Sequence, residues 1–159
     1  MTFKLSEQSG ADAQTAFTLY KKYLEYNRHQ MPGSVIALIE NPDWEGGYYS
    51  KSPHDGNLTN VIISGVGTKD CSIELQISKP SGDCEIQIRY QGVLDFNFNS
   101  IGNVGLFPSW RYEQFKYYNP YRQHGIKETN MFIHEIEWVN GTIWTITASE
   151  IEVIWREIT

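Results

Sequence analysis

Cysteine is scarce in this chain: Cys71 and Cys84 are the only two among 159 residues. Pairing the strands on either side of Ser81-Gly82 sets Cys84 opposite Lys79 and away from Cys71. No disulfide framework is implied, and the thiols read as reduced. Long apolar runs are missing as well. No stretch approaches the roughly 18 residues of a membrane span, and the opening MTFKLSEQSG lacks the apolar core of a secretion signal. A cytoplasmic protein without a membrane contact is therefore expected. Positive charge is in the minority, with 13 Lys and Arg against 19 Asp and Glu and a net charge of −6. That balance disfavours nucleic acid, whose phosphates need a basic face, and suits a basic partner.

Chemical signatures are equally thin. There is no Gly-rich phosphate loop and no nucleophile elbow, and neither cysteine sits in a catalytic pattern. His29, His54, His124 and His134 are scattered, with no Cys/His spacing for zinc, so neither a metal nor a cofactor is expected. His134-Glu135 looks like half of a zinc-protease motif, but position 138 is Trp and the segment reads as a strand, not a helix. His134 is expected to be structural, beside Thr147. Glu135, Glu137, Glu150 and Glu152 repeat at spacing two. They read as a solvated acidic face on adjacent strands in preference to a hydrolytic pair.

What the chain has in quantity is apolar and aromatic side chains, 40% and 14% of residues, which excludes disorder. Its length suits a single domain, 1–159, burying roughly 68–70% of its unfolded surface. Residues 9–31 carry Ala13, Ala16, Phe17, Tyr20, Tyr23 and Leu24 on one helical face, with Ser9 or Asp12 as cap and Pro32-Gly33 as stop. Residues 34–98 and 128–158 read mainly as strands. Ser34–Glu40 is a short apolar run expected to be a buried strand. The alternation in 72–78 and 85–90 pairs Ile77 with Ile86, Leu75 with Ile88 and Ile73 with Tyr90. Gly92 then suggests a bulge or bend before Leu94, Phe96 and Phe98.

Asn140-Gly141 predicts a two-residue type I′ hairpin, closed by Val139 and Thr142, with Trp138 opposite Ile143 and His134 opposite Thr147. That register places Ile143 with Phe132, His134, Ile136 and Trp138, and places Trp144 and Ile146 with the glutamates. Residues 41–58 and 99–127 read as long aromatic loops. The expected fold class is α+β: one N-terminal helix packed on a twisted, mainly antiparallel β-sheet, a meander or half-barrel.

Tyr90-Gln91-Gly92-Val93, then Trp110-Arg111-Tyr112-Glu113-Gln114-Phe115, His134-Glu135-Ile136-Glu137-Trp138, Asn140-Gly141 and the closing Ile-Glu-Val-Ile-Trp strand together resemble small bacterial immunity-type proteins encoded beside polymorphic toxins. The resemblance spans about residues 84 to 155. It implies an α+β domain without a catalytic centre that acts by occluding a partner.

The leading expectation is thus a non-catalytic protein-binding domain, with a basic toxin domain as its partner. Aromatic anchors amid charge nominate Trp44, Tyr48, Tyr49, Trp110, Tyr112, Glu135, Glu137 and Trp144 as the interface. The alternatives are a small-molecule carrier with an aromatic-lined cavity in a curved sheet, and an enzyme using His134 or His124 with a carboxylate.

Overall fold

The computed structural model describes residues 11–45, 51–99, 109–120 and 130–158. Helix α1 (Ala11–Asn27) runs into a 3-10 turn (Arg28–Gln30) and two short helices, α2 (Gly33–Ile39) and α3 (Pro42–Glu45). Eight strands follow: β1 (Asn57–Ser64), β2 (Ser72–Ser78), β3 (Cys84–Gln91), β4 (Asp95–Phe98), β5 (Trp110–Tyr118), β6 (Met131–Trp138), β7 (Ile143–Ala148) and β8 (Glu150–Glu157). The fold is α+β and its strand pairs are antiparallel, as expected. The strands make two four-stranded sheets, ordered β1-β2-β3-β8 and β4-β7-β6-β5. We call these sheets A and B.

One corner joins them. The chain leaves sheet A after β3 and enters sheet B at β4, and it returns from β7 to β8 beside the same point. Gly92 makes the first crossing with φ 58°, and a Cβ there would stand 2.2 Å from Ser149 Oγ on the second. Ser149 N donates to Gln91 O and Leu94 N to Thr147 O, so the two crossings are hydrogen-bonded to each other. The bend suggested by Gly92 is thus a sheet-switching corner, where the backbone needs both positive φ and room for a close approach. Cys71 and Cys84 are buried free thiols.

The β2–β3 register matches the sequence pattern, with Ile77, Leu75 and Ile73 opposite Ile86, Ile88 and Tyr90. The β6–β7 hairpin corrects it. Glu137 faces Ile143, Ile136 faces Trp144, and His134 faces Ile146, not Thr147. Trp138 N donates to Thr142 O, Gly141 N donates to Trp138 O, and Gly141 alone in the turn has positive φ, 83°. This is a three-residue connection ending in a left-handed glycine, not a type I′ turn. A slip of one residue turns a whole strand over. Here it moves Trp144, Ile146 and Ala148 into the core and Ile143 out of it. The two-residue turn would have left a tryptophan and an isoleucine among the glutamates, so burial decided the register.

Further expectations are corrected. Ser34–Glu40 is not a strand but most of α2. As a helix it puts Val35 and Leu38 in the core with Ile36 and Ile39 against it, and leaves Ala37 exposed. A strand would have sent these side chains to opposite faces, and both faces would then need covering. Within 41–58, Asn41 Oδ1 accepts from Asp43 N, Pro42 opens α3, and Trp44 is carried into the core. Within the loop expected over 99–127, Trp110–Tyr118 is strand β5, while 100–108 and 121–127 lie outside the described residues. The strand's alternation is hidden because rings occupy both faces: Phe115 and Tyr117 lie inward, Tyr112 and Tyr118 outward. Of the expected helical face, Ala16, Tyr20 and Leu24 are buried and Phe17 is exposed; Ser9 lies outside the described residues.

Helix α1 does more than fill the core. Strand β5 is an edge of sheet B, so its outward N–H groups lack a neighbouring strand. Phe115 N donates to Tyr20 Oη at 2.7 Å and Tyr117 N donates to Tyr23 Oη at 2.9 Å. Two tyrosines three residues apart on a helix meet two amides two residues apart on a strand. The helix therefore stands in for a ninth strand along this edge. Tyr20→Phe strands the buried Phe115 amide and is expected to cost about 1–3 kcal/mol. Tyr23→Phe, where water can replace the hydroxyl, should cost less. Urea unfolding checks this as a lowered midpoint with an unchanged slope.

Candidate functional site

The most chemically loaded cluster lies between the sheets. Strand alternation points Tyr90 of β3 and His134 of β6 into the shared core, and neither has measurable exposure, 0% each. Tyr90 Oη meets His134 Nδ1 at 2.8 Å. On the other side of the ring, His134 Nε2 meets Glu113 Oε2 at 2.5 Å. Glu113 Oε1 accepts in turn from Trp44 Nε1 at 2.7 Å. Phe115 stacks on the imidazole at 4.2 Å between ring centres.

With Glu113 ionised and His134 neutral, the donor inventory fixes the tautomer. A carboxylate only accepts, so Nε2 carries the proton and donates to Glu113; Nδ1 then accepts from the Tyr90 hydroxyl. Every polar hydrogen of the Trp44–Glu113–His134–Tyr90 set is used. This is half of a histidine–carboxylate catalytic arrangement, but both ring nitrogens are engaged inside the core, and a substrate has no approach without opening it. His124, the other histidine weighed for catalysis, lies outside the described residues.

The residues nominated as an interface separate into buried and surface groups. Trp44, Trp110 and Trp144 are buried, at 2%, 1% and 5% exposure. Their rings pack on one another and on Trp138, with centres 6.2 Å apart for Trp44–Trp110 and 5.0 Å for Trp138–Trp144. They build the core and offer no contact surface. Tyr48 and Tyr49 lie outside the described residues. Tyr112, Glu135 and Glu137 do come together, on the outer face of β5–β6, where Tyr112 is opposite Glu137 and Gln114 opposite Glu135. The glutamates there are half-buried and engaged. Glu135 holds Lys116 at 2.5 Å and Gln114, while Glu137 lies 3.9 Å from Arg111. The expected solvated acidic face is thus corrected, at Glu135 and Glu137, to a cross-strand set of polar and charge pairs.

Glu150 and Glu152 are not beside them, because β8 belongs to sheet A. Both are exposed on its outer face. With Gln91 and Ile151 they line a shallow, open depression of about 340 Å³ at the start of β8. Arg89 approaches Glu152 at 3.8 Å but bonds Glu74 at 3.1 Å. Glu150 has no ion-pair partner among the described residues. Apart from Ile62 and Ile154, the remaining outer face of sheet A is polar. Glu74 accepts from Gln76, Gln87 and Arg89, and that set of bonds, Gln76 first, lowers its pKa against the opposing effect of burial.

No group of three or more potential metal ligands occurs among the described residues. The His134 environment was partly legible, since a histidine at an inward position of a strand is expected to find partners. Glu113 was not. It is a carboxylate on the apolar face of β5, and that signal appears only once 110–118 is read as a strand.

Burial, and then the charge of Glu113, push the Tyr90 pKa well above the ordinary tyrosine value. The folded protein therefore holds this proton more tightly than the unfolded chain does. The resulting stability is fully present below about pH 10 and is lost as pH rises beyond it, at about 1.4 kcal/mol per pH unit. Tyr23 and Cys84 shift in the same direction, so the difference between wild type and Tyr90→Phe isolates the effect. The variant is expected to be less stable at pH 8 and to lose stability less steeply above pH 10, as measured by denaturant unfolding between pH 8 and 11.

The chain matches no family model, no curated protein and no solved structure, so any functional reading rests on its own residues and geometry.

Proposed function

We propose that this chain is a non-catalytic protein-binding domain that occludes a basic partner, in the manner its resemblance to immunity-type proteins implies. The observation that carries the reading is the acid-lined depression on the outer face of sheet A. Glu150 and Glu152 leave β8 on the same side, two residues apart, beside the neutral Gln91 and Ile151. A partner's lysine or arginine entering there gains an exposed carboxylate at Glu150, which has no ion-pair partner among the described residues, and competes for Glu152 with Arg89 at 3.8 Å. The net charge of −6 steers such a partner inward.

Size is compatible with occlusion. Four strands at about 4.8 Å spacing and about 26 Å in length give a projected face of roughly 500 Å². A standard interface takes about 800 Å² of accessible surface from each side. The face supplies most of such a footprint, with its rims contributing the rest.

Binding is preferred to carriage because the rings a carrier would turn towards a ligand are packed against one another. It is preferred to catalysis because His134 and Glu113 are committed to internal hydrogen bonds.

A tagged pull-down from the source cell's lysate is expected to retain one stoichiometric basic protein. With that partner in hand, Glu150→Lys with Glu152→Lys should weaken binding by roughly ten- to hundredfold, or about 1.4–2.8 kcal/mol, mainly through slower association. Raising the salt should narrow the gap between variant and wild type. Affinity unchanged by the double reversal would remove this face from the interface, and a lysate containing the neighbouring gene products but yielding no partner would remove the reading.

A further inference from the structure

The sheets have four edges, and three are blunted. The β5 edge is met by the tyrosines of α1. Helix α2 packs along β8, where Ser34 Oγ accepts from Ile151 N. Strand β4 is only four residues long and begins with Asp95. The fourth edge, β1, differs. Asn57 bridges to Ser109, and a bulge at Thr59 follows. From Asn60 to Ser64 no strand lies on its outer side among the described residues. Asn60, Ile62, Ile63 and Ser64 are exposed and Val61 is half-buried. The stretch from Gly56 to Thr68, GNLTNVIISGVGT, contains no Lys, Arg, Asp, Glu or Pro. Those are the residues by which natural edge strands repel one another.

We propose that this edge pairs with the same edge of a second copy, forming a twofold dimer with Ile62 opposite Ile62. The argument is self-complementarity. Val61 and Ile63 face the core side of sheet A, opposite Leu75 and Ile73, while Asn60, Ile62 and Ser64 face outward. An antiparallel pair related by a twofold axis keeps each face on its own side, so odd positions must meet odd and even must meet even. Centring on Ile62 sets Val61 opposite Ile63 and Asn60 opposite Ser64: apolar meets apolar, and polar meets polar. Centring on Val61 or on Ile63 instead sets Ile62 against Asn60 or Ser64. Only the first register is matched throughout.

Charge does not oppose the contact locally. The carboxylate nearest in register to Ile62 is Glu74, already bound by Gln76, Gln87 and Arg89. The product is one continuous antiparallel sheet of eight strands. This pairing does not rest on the binding face at β8, which lies at the opposite edge of the sheet.

Sedimentation equilibrium of the full chain over micromolar to submillimolar concentration is expected to show a monomer–dimer equilibrium that strengthens with salt. Ile62→Lys, at an exposed position, sets two ammonium groups face to face and should weaken dimerisation roughly tenfold or more without changing the circular dichroism. Register is read by oxidative cross-linking. Ile62→Cys should form a covalent dimer, since opposed Cα atoms stand about 4.5–5.5 Å apart. Asn60→Cys should not cross-link to itself, its twin lying roughly 13 Å along the strand, but should cross-link to Ser64→Cys when the two proteins are mixed. A chain that stays monomeric throughout overturns the proposal. So does a dimer insensitive to Ile62→Lys, or Ile62→Cys cross-linking no faster than Asn60→Cys. A monomer whose β1 edge captures a different protein's strand overturns it too.

Discussion

The hydrogen-bonded chain Trp44–Glu113–His134–Tyr90 is the constraint on which the arrangement of the whole molecule depends. Its four members come from α3, β5, β6 and β3, so it ties a helix and both sheets at one point. It passes through an interior otherwise filled by aliphatic and aromatic side chains. Such a chain adds little net stability, because each member gave up good hydrogen bonds to water. Leaving one member unpaired in the core, however, costs about 1–3 kcal/mol. The energy therefore acts as a penalty on wrong packings. A one-residue slip of β6 would turn His134 outward and strand both Tyr90 and Glu113. The apolar contacts of the core tolerate small rearrangements, whereas this chain is satisfied by one.

The same accounting explains why a second set of tyrosines lies where it does. A sheet ends in unpaired amides, and burial makes each of them expensive. Tyr20 and Tyr23 bring hydroxyls on rings long enough to reach from a helix axis to a strand edge, and the ring bodies pack against the core on the way. Along β8 a smaller helix does the same with Ser34. Such provision at three edges makes its absence along Asn60–Ser64, among the described residues, informative. That segment combines β-branched residues with neutral polar ones, a composition that favours pairing with another strand over exposure to water.

Much of this was legible before the structure, and the misses have physical causes. The β2–β3 pairing could be read because alternation and turn length agreed. At the β6–β7 hairpin they disagreed by one residue. Asn140-Gly141 suits two turn geometries, and the choice between them was made by burial of Trp144 and Ile146, a tertiary term that local turn chemistry does not contain. SVIALIE is too short and too uniformly apolar for its period to distinguish helix from strand. Strand β5 was hidden because its rings face both ways and an inward Glu113 breaks the apolar side. Of the aromatic residues nominated as contacts, the three tryptophans went to the core together. Tryptophan marks interfaces and cores alike, and Trp44, Trp110 and Trp144 are core. The charged nominees grouped as expected on one face, but cross-strand partners on β5 already occupy them.

Among the described residues Trp44, Trp110, Trp138, Trp144 and His134 face the core, so under the proposed function recognition falls to backbone edges and exposed carboxylates, and sheet A carries both. Its open edge and its acidic depression are separated by the width of the sheet, three strand spacings or about 14 Å. Pairing through β1 therefore leaves the depression clear. The twofold axis of such a pair stands perpendicular to the sheet, so both depressions look to the same side. Across eight strands they lie about 34 Å apart, seven spacings of about 4.8 Å. A partner that is itself dimeric could then be held at two points, the second contact being intramolecular once the first is made. Under the proposed function, modest charge-based contacts at each site would then combine into durable occlusion.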